Sequence, residues 1–125
     1  MYYLMKKQVF VLEDDEGLRE LFSLLLEAEF FEVSTFPTIQ SFWRGLDDAQ
    51  PDLIIMDVML PDGNGMEVSM EVRNQEKTSH IPIIMMSAHR DFNRDRGSSP
   101  AEEFIAKPFD IDHLIERVNH YTQEI

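Results

Sequence analysis

Four apolar runs in this sequence each end in residues that can do chemistry. Glu13-Asp14-Asp15 follow Val9-Phe10-Val11-Leu12, and Asp57 follows Leu53-Ile54-Ile55-Met56. Ser87 follows Ile83-Ile84-Met85-Met86, and Lys107-Pro108 follow Phe104-Ile105-Ala106. Carboxylates brought together unpaired repel one another and are costly to desolvate. A hard divalent cation removes that cost; Mg²⁺ takes a few oxygen ligands and often shares its shell with a phosphate. Cysteine is absent and the histidines are not clustered, which disfavours a zinc-type site. A lysine on the same edge can contact an anion bound beside the metal. Carboxylates, Mg²⁺, an ammonium and a hydroxyl together suit phosphoryl transfer onto an aspartate. The metal and Lys107 would neutralise charge on the transferring group.

Each residue also has a plain structural reading. Glu13, Asp14 and Asp15 could cap a helix and occupy its first turn, where the dipole favours acids. Ser87 alone reads as a turn residue and Lys107 alone as a surface lysine. Asp57 is harder to explain away, because large apolar residues precede it and Val58-Met59-Leu60 follow. The joint pattern decides. An acid pair, a strand-end acid, a strand-end hydroxyl and a strand-end lysine recur in order.

The elements that must position these groups alternate. The four runs suit strands buried on both faces, as in parallel sheets, and Glu32-Val33-Ser34-Thr35-Phe36 is a weaker fifth candidate. Between them lie stripes of helical spacing: Leu18, Leu21, Phe22, Leu25 and Ala28; Ile39, Phe42, Trp43 and Leu46; Ile111, Leu114, Ile115 and Val118. Asp110 is a candidate N-cap for the last, and Met66–Asn74 is a short helix candidate. The order is β-α repeated five times. It implies a doubly wound α/β fold: a five-stranded parallel sheet, helices on both faces, and all strand carboxyl ends on one edge. Ligands bind at that edge in open α/β sheets. The stretch 89–101 breaks the pattern, with no apolar stripe and a Gly97-Ser98-Ser99-Pro100 cluster, so the fourth helix is expected to be short or irregular.

Composition bounds the rest. The chain has 125 residues, consistent with a single domain over 1–125. Its 24 acidic and 11 basic residues give a net charge of −13. That argues against direct nucleic-acid contact by this domain and against docking on an anionic membrane. No apolar run is long enough to span a bilayer, and no signal-peptide pattern opens the chain, so a cytoplasmic location is expected.

The chain resembles the response-regulator receiver domains of two-component signalling, over roughly Gln8 to Tyr121. Val9 to Leu21 resembles the family's first strand, acid pair and first helix. Pro51-Asp52-Leu53-Ile54-Ile55-Met56-Asp57 through Gly65 resembles its phosphoacceptor strand and loop. Ile81 to His89 resembles its fourth strand, and Phe104-Ile105-Ala106-Lys107-Pro108-Phe109 its fifth. The resemblance implies a flavodoxin-like fold with strand order 2-1-3-4-5. It implies Asp57 as phosphoacceptor, with Asp14 and Asp57 binding Mg²⁺ directly, Glu13 through water, and the Met59 backbone carbonyl as a further ligand. A one-place shift of the acid pair, to Asp14 and Asp15, is the lesser option. Lys107 would contact the phosphoryl group, and its bond to Pro108 would be cis. Ser87 would swing toward the modified Asp57, Phe104 would be the switch aromatic, and Met59 and His89 would tune phosphoryl lifetime.

The implied function is a phosphoacceptor switch rather than a turnover enzyme. A histidine kinase or histidine phosphotransfer protein would supply the phosphoryl group, and a downstream protein target would read the result. The expected form is a stand-alone, chemotaxis-regulator-like domain, monomeric or dimerising on phosphorylation. The alternative is a degenerate receiver that binds protein without being phosphorylated, but no acid or lysine of the pattern is lost. The sequence departs from the family between Ser87 and Lys107, where the interval is short and Ser98-Ser99-Pro100-Ala101 replaces the usual small-residue segment.

Overall fold

The structure is a computed structural model that describes residues 5–88, 91, 93, 96, 97 and 100–123. The central strands are β1 (Gln8–Leu12), β2 (Glu32–Phe36), β3 (Leu53–Asp57), β6 (Ile83–Ala88) and β7 (Glu103–Lys107). They pair in parallel in the order β2-β1-β3-β6-β7, which is 2-1-3-4-5 counted over this sheet alone. Helices run over α1 (Glu16–Ala28), α2 (Ile39–Asp48), α3 (Gly65–Asn74) and α4 (Ile111–Thr122) among the described residues. The five-stranded doubly wound sheet expected from the apolar runs is therefore present. The expected irregular helix over 89–101 falls largely outside the described residues.

The continuous runs are strands because they are buried on both faces. Leu53 through Met56 are at most 1 % exposed. Alternate residues feed two separate cores. Phe10, Leu12, Ile54, Met56, Ile83 and Met85 pack against Phe42 and Leu46 of α2 and Met66, Val68 and Val72 of α3. Val9, Val11, Leu53, Ile55, Ile84 and Met86 pack against Phe22 and Leu26 of α1 and Leu114 and Val118 of α4. Burying Phe22 or Phe42, both fully enclosed, contributes about 2–3 kcal/mol relative to exposure. β2 is an edge strand and only partly covered, which explains its weak apolar signal.

Caps set where each helix begins. Asp15 accepts from the Leu18 N–H at 2.8 Å, Asn64 from Met66 at 2.7 Å, and Asp110 from His113 at 3.0 Å. Between β3 and α3 the chain forms a small antiparallel hairpin, β4 (Met59–Leu60) with β5 (Gly63–Asn64), which the apolar pattern did not signal.

Candidate functional site

β1 and β3 are neighbours in the sheet, so their carboxyl ends carry Glu13-Asp14 and Asp57 to the same place. Ligand oxygens of Glu13, Asp14 and Asp57 all lie within 4.8 Å of one another. Glu13 is 2 % exposed and Asp57 9 %, while Asp14 is exposed. Lys107 ends the edge strand β7 and reaches over the end of β6. Its Nζ donates to Glu13 Oε1 and to Asp57 Oδ2, each at 2.8 Å. The Lys107–Pro108 bond is cis.

The three adjacent acids divide their work. Asp15 is the N-cap of α1, so its carboxylate serves the helix and not the cluster. That favours Glu13 and Asp14 as the acid pair over the shifted register. The Asp15 N–H also donates to Glu13 Oε2 at 3.1 Å, which orients the buried carboxylate. Arg19, one turn into α1, donates to the Glu13 and Asp14 carbonyls at 3.0 and 2.7 Å and holds the turn. Sequence reasoning missed Arg19; its place one turn after the acids was the available signal.

Electrostatics follow from this packing. Burial pushes the Glu13 carboxyl up, and the Asp57 charge adds to that. The Lys107 hydrogen bond and the Asp15 N–H oppose it without cancelling it. Burial alone would lower the Lys107 ammonium. Its hydrogen bonds to Asp57 and Glu13, with their charges, outweigh burial and raise it above the ordinary lysine value. Two of the three acids thus share the Lys107 ammonium, and Asp14 stands beside them without it. Hard oxygen donors at this spacing, with negative charge left over, fit a small divalent cation.

Gly65 makes the close approach that this edge needs. A Cβ there would collide with the backbone carbonyl oxygen of Asp57. The Gly65 N–H instead donates to Val58 O at 2.7 Å, closing the hairpin against the end of β3. Ser87 is fully buried near the end of β6, and its hydroxyl donates to the Ala88 carbonyl at 3.3 Å. Phe104, on β7, is partly buried against the α2/α3 core. Met59 is 70 % exposed on the hairpin. His89 lies outside the described residues.

A family model for the response regulator receiver domain matches residues 9–119. This chain belongs to that family. It is 37% identical over 116 residues to the phosphate regulon transcriptional regulatory protein PhoB of Rhizobium meliloti, covering 91% of this chain and 51% of that protein. It is also 37% identical over 116 residues to the response regulator ArlR of Staphylococcus aureus, covering 89% and 50%. The chain spans about half the length of these curated relatives. Among solved structures, it is similar to the response regulator TrrA of Thermotoga maritima, a structure in complex with Mg²⁺ and BeF. That match has a TM-score of 0.82 and 30% identity, and covers 92% of this chain and 98% of that one. The receiver fold and membership of the two-component regulators are therefore shown for this chain. No helix among its described residues is long and apolar enough to cross a membrane.

Beside the site lies an apolar groove of about 500 Å³. Leu18 and Leu21 of α1 form one wall, Pro108, Phe109 and Ile111 the other, and Lys107 reaches into it. The Phe109 ring stacks on Phe22 with centroids 5.4 Å apart, which anchors that wall to α1.

Proposed function

We propose that this receiver domain accepts a phosphoryl group on Asp57 from a phosphohistidine donor, with Mg²⁺ as cofactor. The observation that carries the reading is the Lys107 bridge. One ammonium lies 2.8 Å from both Asp57 and Glu13, in a cluster that also holds Asp14. Glu13, Asp14, Asp57 and the Met59 carbonyl would hold the metal; the clustered acids support this, as does the similarity to TrrA, a protein solved with Mg²⁺. When bound, Mg²⁺ supplies charge neutralisation at the phosphoryl oxygens. Lys107 supplies the same at one oxygen from its fixed place.

In the proposed transfer an Asp57 carboxylate oxygen attacks phosphorus in line. The new O–P bond forms as the donor's N–P bond breaks, and the leaving imidazole keeps the bonding pair. Water later hydrolyses the acyl phosphate and releases inorganic phosphate, which returns Asp57 to its starting state and resets the switch. The added dianion draws on Lys107 and on the Ser87 hydroxyl and biases a two-state arrangement at Phe104. Met59, exposed on the hairpin, would tune the phosphoryl lifetime; the same role for His89 rests on the family resemblance alone.

The donor partner is a histidine kinase or histidine phosphotransfer protein, seated on the apolar groove beside Lys107. The reader is a downstream protein, or a further domain of the kind that makes the curated relatives twice as long. With a net charge of −13 this domain does not itself contact nucleic acid. We place it in the cytoplasm with its kinase. Intact mass after incubation with a small acyl phosphate and Mg²⁺ tests the reading. One phosphoryl group should be gained, and lost from Asp57→Asn. A gain that survives that substitution overturns Asp57 as acceptor.

A further inference from the structure

The hairpin after Asp57 is tied down at both ends. At its base the Gly65 N–H donates to Val58 O. At its tip Asp62 reaches another element altogether. Its two carboxylate oxygens accept from the backbone N–H groups of Ile39, at 2.9 Å, and Gln40, at 3.2 Å. These are the first two residues of α2. The other two open N–H groups stay within the local cap. Ser41 donates to Thr38 Oγ1 at 3.1 Å, and Thr38 donates to Ser41 Oγ at 3.3 Å. The four donors that a helix leaves open at its start are thus divided between a local cap and a loop residue 22–23 positions away.

Thr38 and Ser41 already form a reciprocal cap for α2. Asp62 adds a fixed separation between α2 and the hairpin. That hairpin has only two pairs, Met59 with Asn64 and Leu60 with Gly63, and so short a ladder does not hold its own orientation in water. The Ile39 N–H keeps the Asp62 carboxyl below its usual range, against slight desolvation, with the Gln40 N–H adding to the effect. The tie is therefore a charged one at neutral pH.

We propose that Asp62 is a positioning residue for the metal site: by pinning the hairpin tip to the start of α2, it places the Met59 carbonyl. This rests on the reading of that carbonyl as a Mg²⁺ ligand. Mg²⁺ demands near-octahedral geometry and tolerates misplaced ligands poorly. The coupling is reciprocal by linkage, so filling the metal site tightens the first turn of α2. The single tryptophan, Trp43, lies on α2 with its ring 5.5 Å from that of Phe42, and reports on the same helix.

The test is a Mg²⁺ titration of the whole chain, followed by Trp43 fluorescence and by amide exchange at Ile39 and Gln40. Wild type is compared with Asp62→Ala and Thr38→Ala, and urea unfolding ranks their stabilities. Thr38→Ala removes a cap from the same helix without touching the hairpin. Asp62→Ala should weaken Mg²⁺ about tenfold and Thr38→Ala by less than about twofold, on the scale of groups that orient metal ligands. In wild type, Mg²⁺ should slow exchange at Ile39 and Gln40. Unchanged Mg²⁺ affinity in Asp62→Ala overturns the proposal. So does equal weakening by both variants, which would make Asp62 a helix cap and nothing more. A wild-type chain that binds no Mg²⁺ overturns the metal site itself, and the inference with it.

Discussion

Replacing Gly65 by alanine sets two physical effects against each other. Gly65 is the first residue of α3. Helix propensity and unfolded-state entropy both favour alanine over glycine, by about 0.4–1 kcal/mol. Packing opposes it, because the added methyl would collide with the Asp57 carbonyl oxygen and crowd the Val58 Cα. Both are backbone atoms, so no side-chain rotation relieves the clash. Overpacking of this kind costs about 1–3 kcal/mol, and a fixed backbone belongs at the upper end. We therefore expect Gly65→Ala to lose about 2 kcal/mol net in urea unfolding. Relief by backbone movement would shift the end of β3, where Asp57 pairs with Met86 and Val58 N–H donates to Met86 O. Misplacement approaching 1 Å costs about 100-fold in rate, so phosphorylation by a small acyl phosphate should fall at least about tenfold. Gly17→Ala in α1 is the control. Its Cβ would meet only the Asp15 Oδ2 that caps α1, at 3.3 Å, a side-chain atom that can shift by a few tenths of an ångström, so its loss should stay well below that of Gly65→Ala. Wild-type stability and wild-type phosphorylation in Gly65→Ala would refute the close approach as the reason for glycine there.

Two further outcomes follow from the charges. Lys107→Met leaves the buried Glu13 and Asp57 carboxylates facing each other without a cation. It should cost about 2–4 kcal/mol without Mg²⁺, less than a fully buried pair because the lysine is part exposed. Most of that loss should return in millimolar Mg²⁺; an equal loss with and without the metal counts against a shared charge balance. At the other end of β7, burial raises the Tyr121 phenol and its hydrogen bond to Glu103 adds to this, with Arg117 opposing. A raised folded-state pKa contributes stability that is present below the unfolded value of about 10 and is lost as pH rises through the folded value. Tyr121→Phe should abolish the late phenolate step in an ultraviolet titration and flatten stability above about pH 10; a late step that persists assigns it elsewhere.

The parts of the fold legible in sequence were those whose physics is local or repetitive. Leu53 to Met56 reads as a strand because burial on both faces needs an unbroken apolar run, and its carboxyl end then locates Asp57. Asp110 reads as a cap because a cap lies next to its helix. Glu13, Asp14 and Asp15 share one chemistry; the family register set the first two apart, and the path of the chain gives Asp15 to the helix cap and the others to the cluster. Other features were not legible. The β4–β5 hairpin is two residues a side, too short for any period. The Asp62 tie to α2 and the Arg73–Glu102 ion pair at 2.6 Å join residues far apart in sequence, and the composition around them reads as ordinary surface.

Lys107 also joins the chemistry to the groove beside it. Its ammonium bridges the ends of β1 and β3, while the same residue lines the groove with Pro108, Phe109, Leu18 and Leu21. A phosphoryl group on Asp57 would replace one carboxylate charge with about two, concentrated on oxygens that compete for that ammonium. Lys107 sits in half-buried surroundings, so the change acts through a less screened field than at the open surface. Two residues on, Phe109 is fixed to α1 by its stack on Phe22. A shift at Lys107 is therefore felt first at the wall where a donor would sit. A donor seated there and a phosphoryl group on Asp57 would act on the same side chain, so phosphorylation would change the affinity of the groove for the donor.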